Sequence, residues 1–148
     1  SIPLASNQVH YSLLSRTIER DGTLARCKEL GIRLIAYSPL EKGLLTGKYD
    51  ASHQPSGTRA RTYARLVTKI QPLLKLMTEI GQDHGGKSNA QVALNWVVCK
   101  GAFPIPGAKT AAQAVENAGA LGWRLTEDEI ARLDFASNVI LQPNMTAH

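Results

Sequence analysis

Residues 22–37 read GTLARCKELGIRLIAY, and this stretch decides the fold class. Its first part, 22–30, has the composition of a short helix, and Gly31 stands where a glycine commonly ends one. The apolar, β-branched run that follows is typical of a strand buried on both faces of a sheet. A helix, a glycine and a buried strand in this order predict a parallel βαβ unit, so the sequence indicates an α/β protein.

Two further strands extend this pattern along the chain. We predict strands near residues 7–11, 32–37 and 103–106, with helices between them. The helix that follows the second strand has apolar residues at helical spacing. Pro72 must either start the regular part of this helix or kink it, and we favour a start near Pro72.

Two helix starts carry capping-box sequences. Ser88 with Gln91 and Thr126 with Glu129 each place a hydroxyl and a Glu or Gln three residues apart. The last helix should fade near Ser137. We therefore divide the chain into a folded part, 1–137, and an irregular tail, 138–148.

Length and composition exclude several classes of protein. The 148 residues suit one domain, but a complete eight-unit barrel takes about 250 residues. The net charge of +5 is scattered along the chain, and no nucleic-acid-binding motif accompanies it, so nucleic acid is not an expected partner. No apolar run is long enough to span a membrane, and the histidines and two cysteines lack metal-ligand spacing.

Residues 103–121, FPIPGAKTAAQAVENAGAL, predict a binding site. An apolar strand passes through Gly107 into a helix start that carries Lys109. Backbone N–H groups, the positive end of a helix and an ammonium group at one place favour a phosphate. Residues 38–65 are too long for an ordinary connection, which indicates a working loop over a site.

Four segments carry a family resemblance. SNQVHYSLL at 6–14, IRLIAYSPLEKGLLTGKYD at 32–50, SNAQVALNWVV at 88–98 and PIPGAK at 104–109 resemble, in order and spacing, the C-terminal half of the aldo-keto reductases. These are NADPH-dependent carbonyl reductases built on a (β/α)8 TIM barrel. The resemblance covers residues 1–137 and is strongest to potassium-channel β-subunit-like members and to plastid members of plants and algae.

The resemblance implies a partial barrel. The three strands would be the sixth, seventh and eighth, followed by a C-terminal helix, and the catalytic Asp, Tyr, Lys and His of the family would lie upstream of every matched residue. No catalytic residue is therefore assigned. Because three parallel strands cannot close a barrel, we expect a missing N-terminal half-barrel or a companion protein subunit.

The resemblance also implies a site for NADP. Tyr37 would stack on the nicotinamide, Gln8 would bind its carboxamide, and Lys109 would meet the 2′-phosphate. The remaining cofactor-binding candidates are Ser38, Pro39, Leu40 and Lys48 in the loop around the pyrophosphate, with Arg59 or Arg61 as further charge partners, and Gly107, Gln113, Glu116 and Asn117 near the adenosine end.

Plain structural interpretations of the same residues stay open. Tyr37 could be a core aromatic, Thr110 with Gln113 fits an ordinary capping box, and Glu116 with Asn117 fits a solvated helix face. The residues alone do not decide between these interpretations and a cofactor site.

Three functions are compatible with the sequence. The first is the NADP-binding half of an enzyme that reduces a small aldehyde or ketone by hydride transfer, with no activity in this chain alone. The second is a non-catalytic half-barrel that serves as a structural or regulatory subunit, and the third is a redox-sensing accessory. Similarity suggests the chloroplast as the location, with the cytoplasm as the alternative.

Overall fold

The computed structural model of the chain describes residues 2–57 and 60–142, with the backbone alone for Arg61 and Thr62. Strands and helices alternate, as the sequence predicts. The elements in chain order are β1 (Ser6–His10), α1 (Thr17–Arg20), α2 (Thr23–Glu29), β2 (Arg33–Tyr37), a 3₁₀ segment (Glu41–Thr46), α3 (Ala60–Asp83), α4 (Asn89–Cys99), β3 (Ala102–Ile105), α5 (Ala111–Ala118) and α6 (Glu127–Leu141).

The three strands form one parallel sheet in the order β1-β2-β3. Helices α1 and α2 connect β1 to β2, and α3 and α4 connect β2 to β3. Connections between neighbouring parallel strands are nearly always right-handed, so both sets of helices lie on the same face of the sheet. The predicted βαβ units are confirmed, and the carboxyl ends of all three strands lie at one edge.

The two faces of the sheet differ in burial. On β2, Leu34 and Ala36 point toward the helices and are 3% and 0% exposed. The residues of the opposite face include Tyr37, Phe103 and Ile105, which are 41%, 53% and 47% exposed. The expectation that the strands are buried on both faces is therefore wrong for this chain, because the helices that connect three successive strands can cover only one side.

Helix α3 corrects the prediction at Pro72. The helix runs from Ala60 to Asp83 and contains the proline in its interior. Val67 and Ile70, which precede the proline, are 1% and 0% exposed. Burying two such side chains contributes about 1.5–3 kcal/mol each, which offsets the roughly 3 kcal/mol that an interior proline costs.

Both predicted capping boxes are present. The Ser88 hydroxyl accepts from the backbone N–H of Gln91, the Thr126 hydroxyl accepts from that of Glu129, and each partner side chain bonds back to the cap residue. Helix α6 continues to Leu141, beyond the end predicted at Ser137, so residues 138–141 do not belong to an irregular tail. Residues 143–148 of the predicted tail lie outside the described part.

A buried ionic cluster fixes the segment that follows β1 to the helices. Arg16 donates to the Glu19 carboxylate at 2.6 Å and to the Asp134 carbonyl at 2.9 Å, and the indole of Trp96 donates to the Asp134 carboxylate at 2.8 Å. Burial raises the pKa of the Glu19 carboxyl, but hydrogen bonds from Arg16 and Tyr11 outweigh it, so the pKa lies below its usual range and Glu19 is ionised.

Tyr11 completes this cluster. Its hydroxyl donates to Glu19 at 2.6 Å, and burial, with the hydrogen bond to Glu19 as the next cause, raises the pKa of Tyr11. The Ser137 hydroxyl on α6 donates to the Leu13 carbonyl. The segment between β1 and α1 is thus held against α4 and α6, which places the end of β1 rigidly for the site described next.

Candidate functional site

The candidate site lies at the carboxyl edge of the sheet. Strand register places His10 beside Tyr37 and Tyr37 beside Ile105, so these three residues form one row where the strands end. Neighbouring strands are about 4.8 Å apart, so the row spans about 10 Å. The chain leaves each strand here, and in parallel α/β proteins this edge is where ligands bind.

Tyr37 is the last residue of β2, and its aromatic ring is partly exposed to solvent. Its side chain belongs to the uncovered face of the sheet and is 41% exposed, so it is not a core aromatic in this chain. The imidazole of His10 stacks on it, with ring centroids 5.2 Å apart and ring planes at 11°. Gln8 is exposed on β1, two residues before His10 and on the same face. An exposed aromatic ring and an exposed amide are therefore brought to one place.

The segment after β2 turns sharply. Ser38 has a φ of 51°, and its carbonyl accepts from the Glu41 backbone N–H at 3.1 Å. Pro39 is buried, so only its backbone can face a ligand, and Leu40 packs against the core. Of the three candidates in this turn, Ser38 and Leu40 therefore each keep a partly accessible side chain, and Ser38 is the polar one.

Lys48 supplies a cation near this turn. It is exposed, its ammonium lies 4.8 Å from the centre of the Tyr49 ring, and its side chain folds against Gly43. A side chain at position 43 would collide with it, since a Cβ there would lie 2.7 Å from the ammonium nitrogen. Arg59 and the side chain of Arg61 lie outside the described residues.

A carboxylate that the sequence analysis did not indicate also lies at this edge. The carboxylate of Glu41 accepts hydrogen bonds from His10 Nε2 and from the Ser12 hydroxyl, both at 2.6 Å and both at the same oxygen. Glu41 lies 31 positions from His10 in the chain. No local spacing pattern could have indicated this contact, because it depends on the path of the chain after β2.

The junction between β3 and α5 carries the predicted phosphate site. Lys109 is exposed, and its backbone N–H donates to the side-chain oxygen of Gln113 at 2.7 Å. The Thr110 hydroxyl accepts from the Gln113 backbone N–H at 3.2 Å. Gln113 thus bonds one residue further back than a capping box requires, and the Lys109 N–H, expected to be free for a phosphate, is already used within the chain.

The other candidates of this junction lie along α5. The side-chain amide of Asn117 donates to the Gly107 carbonyl at 3.4 Å, which joins the helix to the strand end. Glu116 is exposed, and its backbone carbonyl accepts from Gln91 at 2.9 Å. The exposed cation is Lys109, so its ammonium is the group at this junction that can attract an anion.

The site as a whole offers an aromatic surface and cations at the carboxyl edge, and an amide on the same sheet face two residues before that edge. These groups can hold a planar ring at one end and anionic groups at the other. Within residues 2–57 and 60–142 no group of three His, Cys, Asp or Glu residues is placed to hold a metal ion. In the same part of the chain, no helix has both the length and the apolar character needed to cross a membrane.

Comparison with known proteins identifies the family. The model of the aldo/keto reductase family matches residues 1–138. The chloroplastic pyridoxal reductase of Arabidopsis thaliana is 47% identical over 92% of this chain and 37% of its own length. The L-glyceraldehyde 3-phosphate reductase of Escherichia coli is 34% identical over 90% of this chain and 41% of its own length.

Solved structures similar to this chain support the same family. The glycerol dehydrogenase of Gluconobacter oxydans superimposes with a TM-score of 0.84 at 27% identity, over 97% of this chain and 45% of that one. An aldo/keto reductase of Klebsiella pneumoniae in complex with NADP and acetate does so with a TM-score of 0.63 at 28% identity, over 88% of this chain and 38% of that one. The chain spans about two-fifths of the length of the curated relatives it matches. Its sheet is part of a (β/α)8 barrel, and the chain belongs to the aldo-keto reductase family.

Proposed function

We propose that this chain is the NADP-binding part of an NADPH-dependent aldo-keto reductase. The observation that carries the proposal is one exposed sheet face that bears Gln8 and, at its carboxyl edge, the exposed ring of Tyr37, with the exposed ammonium of Lys109 after the neighbouring strand. These groups fit a dinucleotide, which has a flat ring and a carboxamide at one end and a phosphate at the other.

Each residue has a separate task in this proposal. Tyr37 supports the nicotinamide ring, and Gln8 binds the carboxamide, so that one ring face is presented. Lys109 attracts the 2′-phosphate, which favours NADP over NAD. The cofactor supplies a hydride to the carbonyl carbon of a small aldehyde or ketone. The pyridoxal reductase relative supports an aldehyde substrate and a chloroplast location for this protein.

The proton donor is proposed to lie on other polypeptide, a missing N-terminal half-barrel or a companion subunit. The uncovered sheet face supports this part of the proposal, since apolar strand residues such as Phe103 and Ile105 are half exposed. Beside β3 lies an apolar groove of about 480 Å³ lined by Leu94, Val98 and Leu121 among others. A further strand and its helix would cover both features.

The uncovered face also supports a second candidate function. A half-barrel that docks this face on a larger assembly without binding cofactor would serve as a structural or regulatory subunit. Fold alone does not separate the two functions. Cofactor binding does, because the docking function does not require it.

Titration of the purified protein with NADPH and with NADH, followed by tryptophan fluorescence, tests the proposal. Replacing Lys109 by Glu should weaken NADPH binding about tenfold or more, since a charge-assisted hydrogen bond contributes about 1.5–3 kcal/mol. NADH, which lacks the 2′-phosphate, should respond much less. Lys75→Glu makes the same charge change at an exposed position of α3 and serves as the control.

Two results would decide against parts of the proposal. An unchanged affinity of Lys109→Glu for NADPH would remove Lys109 from the site. The absence of saturable binding of either nucleotide to the unaltered protein would favour the structural subunit.

A further inference from the structure

Strained backbone is concentrated in the turn after β2. Ser38, Glu41 and Lys42 have φ angles of 51°, 48° and 54°, which is the left-handed region that residues other than glycine avoid. Such conformations persist where surrounding contacts impose them, and they occur often at ligand sites. The turn must therefore be held in place by specific interactions.

The turn has backbone hydrogen bonds of its own, and Leu44 and Leu45 after it are buried. The carboxylate of Glu41 adds two side-chain interactions. It accepts from His10 Nε2 and from the Ser12 hydroxyl at 2.6 Å each. An ionised carboxylate only accepts, so Nε2 carries the proton. The Glu41 side chain is 18% exposed, and hydrogen bonds to a charged group that is shielded from water are the strong ones.

The two residues that donate to Glu41, His10 and Ser12, are themselves held in place. Ser12 is fully buried, and its backbone N–H and carbonyl form a pair of 3.1 Å hydrogen bonds with Ser15. Its hydroxyl also accepts from the Leu14 backbone N–H at 3.1 Å. His10 is fixed as the last residue of β1. Glu41 therefore joins the turn to a part of the chain that is held by the sheet and the helices.

His10 contacts both Glu41 and Tyr37, and so links the turn to the Tyr37 ring. The imidazole lies parallel to the Tyr37 ring at 5.2 Å, while its Nε2 is bonded to Glu41. The same histidine thus contacts the turn through its ring edge and the tyrosine through its ring face. Rotation of the imidazole would break the bond to Glu41 and disturb the stacking on Tyr37 together.

We propose that Glu41 is a positioning residue, which holds the turn 38–43 through His10 and Ser12 and, through His10, sets the orientation of the Tyr37 ring. The contacts to the turn stand independently of the cofactor. The consequence for nicotinamide binding rests on the proposed function.

Amide hydrogen exchange of the protein without cofactor tests the first part. In Glu41→Ala, amides of 40–47 should exchange about tenfold faster, because two hydrogen bonds to a charged group are lost. Amides of α4 should keep their rates. Glu41→Gln, which can still accept both bonds, should restore most of the protection. Glu79→Ala, an exposed glutamate on α3, is the matched control and should change nothing.

His10→Phe gives a second approach should Glu41→Ala fold poorly. Phenylalanine retains the stacking on Tyr37 but cannot donate to Glu41, so the turn should again exchange faster. Unchanged exchange at 40–47 in both Glu41→Ala and His10→Phe would overturn the proposal.

NADPH titration of the same variants tests the second part. Glu41→Ala should weaken NADPH binding several-fold, while Glu41→Gln should lie close to the unaltered protein. Faster exchange with unaltered affinity would overturn the link to Tyr37 and support the restraint of the turn alone. A protein that binds no NADPH in any form would refute the proposed function, and the exchange rates would still decide the role of Glu41.

Discussion

The two faces of the sheet have different surroundings. On β2 the residues that face the helices, Leu34 and Ala36, are almost inaccessible. Tyr37 on the other face, with Phe103 and Ile105 of β3, exposes two-fifths to half of its surface. Behind the covered face lies a filled core with an ionic cluster, whereas the open face has the site residues, exposed apolar side chains and Arg33, which contacts the Phe103 ring.

This difference separates the side of the sheet that stabilises the fold from the side that the proposed function assigns to a partner and a cofactor. The covered face supplies the folding free energy, since buried apolar area is the main stabilising contribution. The open face contributes little to folding, but it and its carboxyl edge carry the groups proposed to bind a dinucleotide. A sheet of this kind is expected in one part of a barrel whose remaining strands belong to other polypeptide.

The largest loss of stability should come from a substitution in the core that the helices form behind the sheet. Trp96 is fully buried on α4, contacts Tyr11 and donates to Asp134. Trp96→Ala should lower the free energy of unfolding by about 3–5 kcal/mol, because it leaves a cavity and removes the hydrogen bond from the indole to the Asp134 carboxylate. Urea unfolding measures this loss.

Phe135→Ala is the control for that variant. Phe135 lies on α6 and is 69% exposed, so its truncation should change the free energy of unfolding by only about 0.5 kcal/mol or less. Comparable losses for the two variants would show that the helical side is not the stabilising side.

A smaller effect should appear as a pH dependence of stability. Burial raises the pKa of Glu129, but hydrogen bonds from the Thr126 backbone N–H at 2.8 Å and from His84 at 2.9 Å outweigh it, so the pKa is lowered. The unfolded chain then binds more protons than the folded one at acid pH. The contribution of Glu129 is present above the ordinary glutamate pKa of about 4.3 and is lost as the pH falls through the lowered value.

Glu129→Gln should flatten this part of the stability curve. Glutamine keeps the capping box with Thr126 but cannot ionise. Thermal unfolding between about pH 3 and pH 6 measures the change. An identical pH dependence in the variant would mean that other carboxylates account for the acid sensitivity.

The sequence predicted the features that depend on local chemistry. The strands, the two capping boxes and the glycine at the end of a helix follow from side chains within a few positions of one another. Pro72 was misjudged because burial on both sides of it, at Val67 and Leu73, outweighs the local cost. Tertiary packing of this kind cannot be read from a short window.

Some features of the candidate site could likewise be predicted from local sequence, and others could not. Tyr37 could be predicted to lie at a strand end, and it is the last residue of β2. Gln8 lies in the middle of β1, opposite Ile35, so a position at the end of its strand is wrong. The contact between His10 and Glu41 could not be predicted, because three left-handed residues set the path of the turn that creates it. The use of the Lys109 N–H by Gln113 was missed for a related reason, since the side chain bonds one position away from the usual capping pattern.

The most direct test of the account compares Phe103→Ala in two settings. In residues 1–148 alone the variant should lose about 1 kcal/mol or less, chiefly the contact of Arg33 with the ring, 5.7 Å from its centre. When the chain is joined to the part of the Arabidopsis thaliana relative outside the region of similarity, the loss should rise to about 3–5 kcal/mol, because the ring becomes buried. An equally small loss in both settings would contradict the claim that this sheet face is completed by the rest of a barrel.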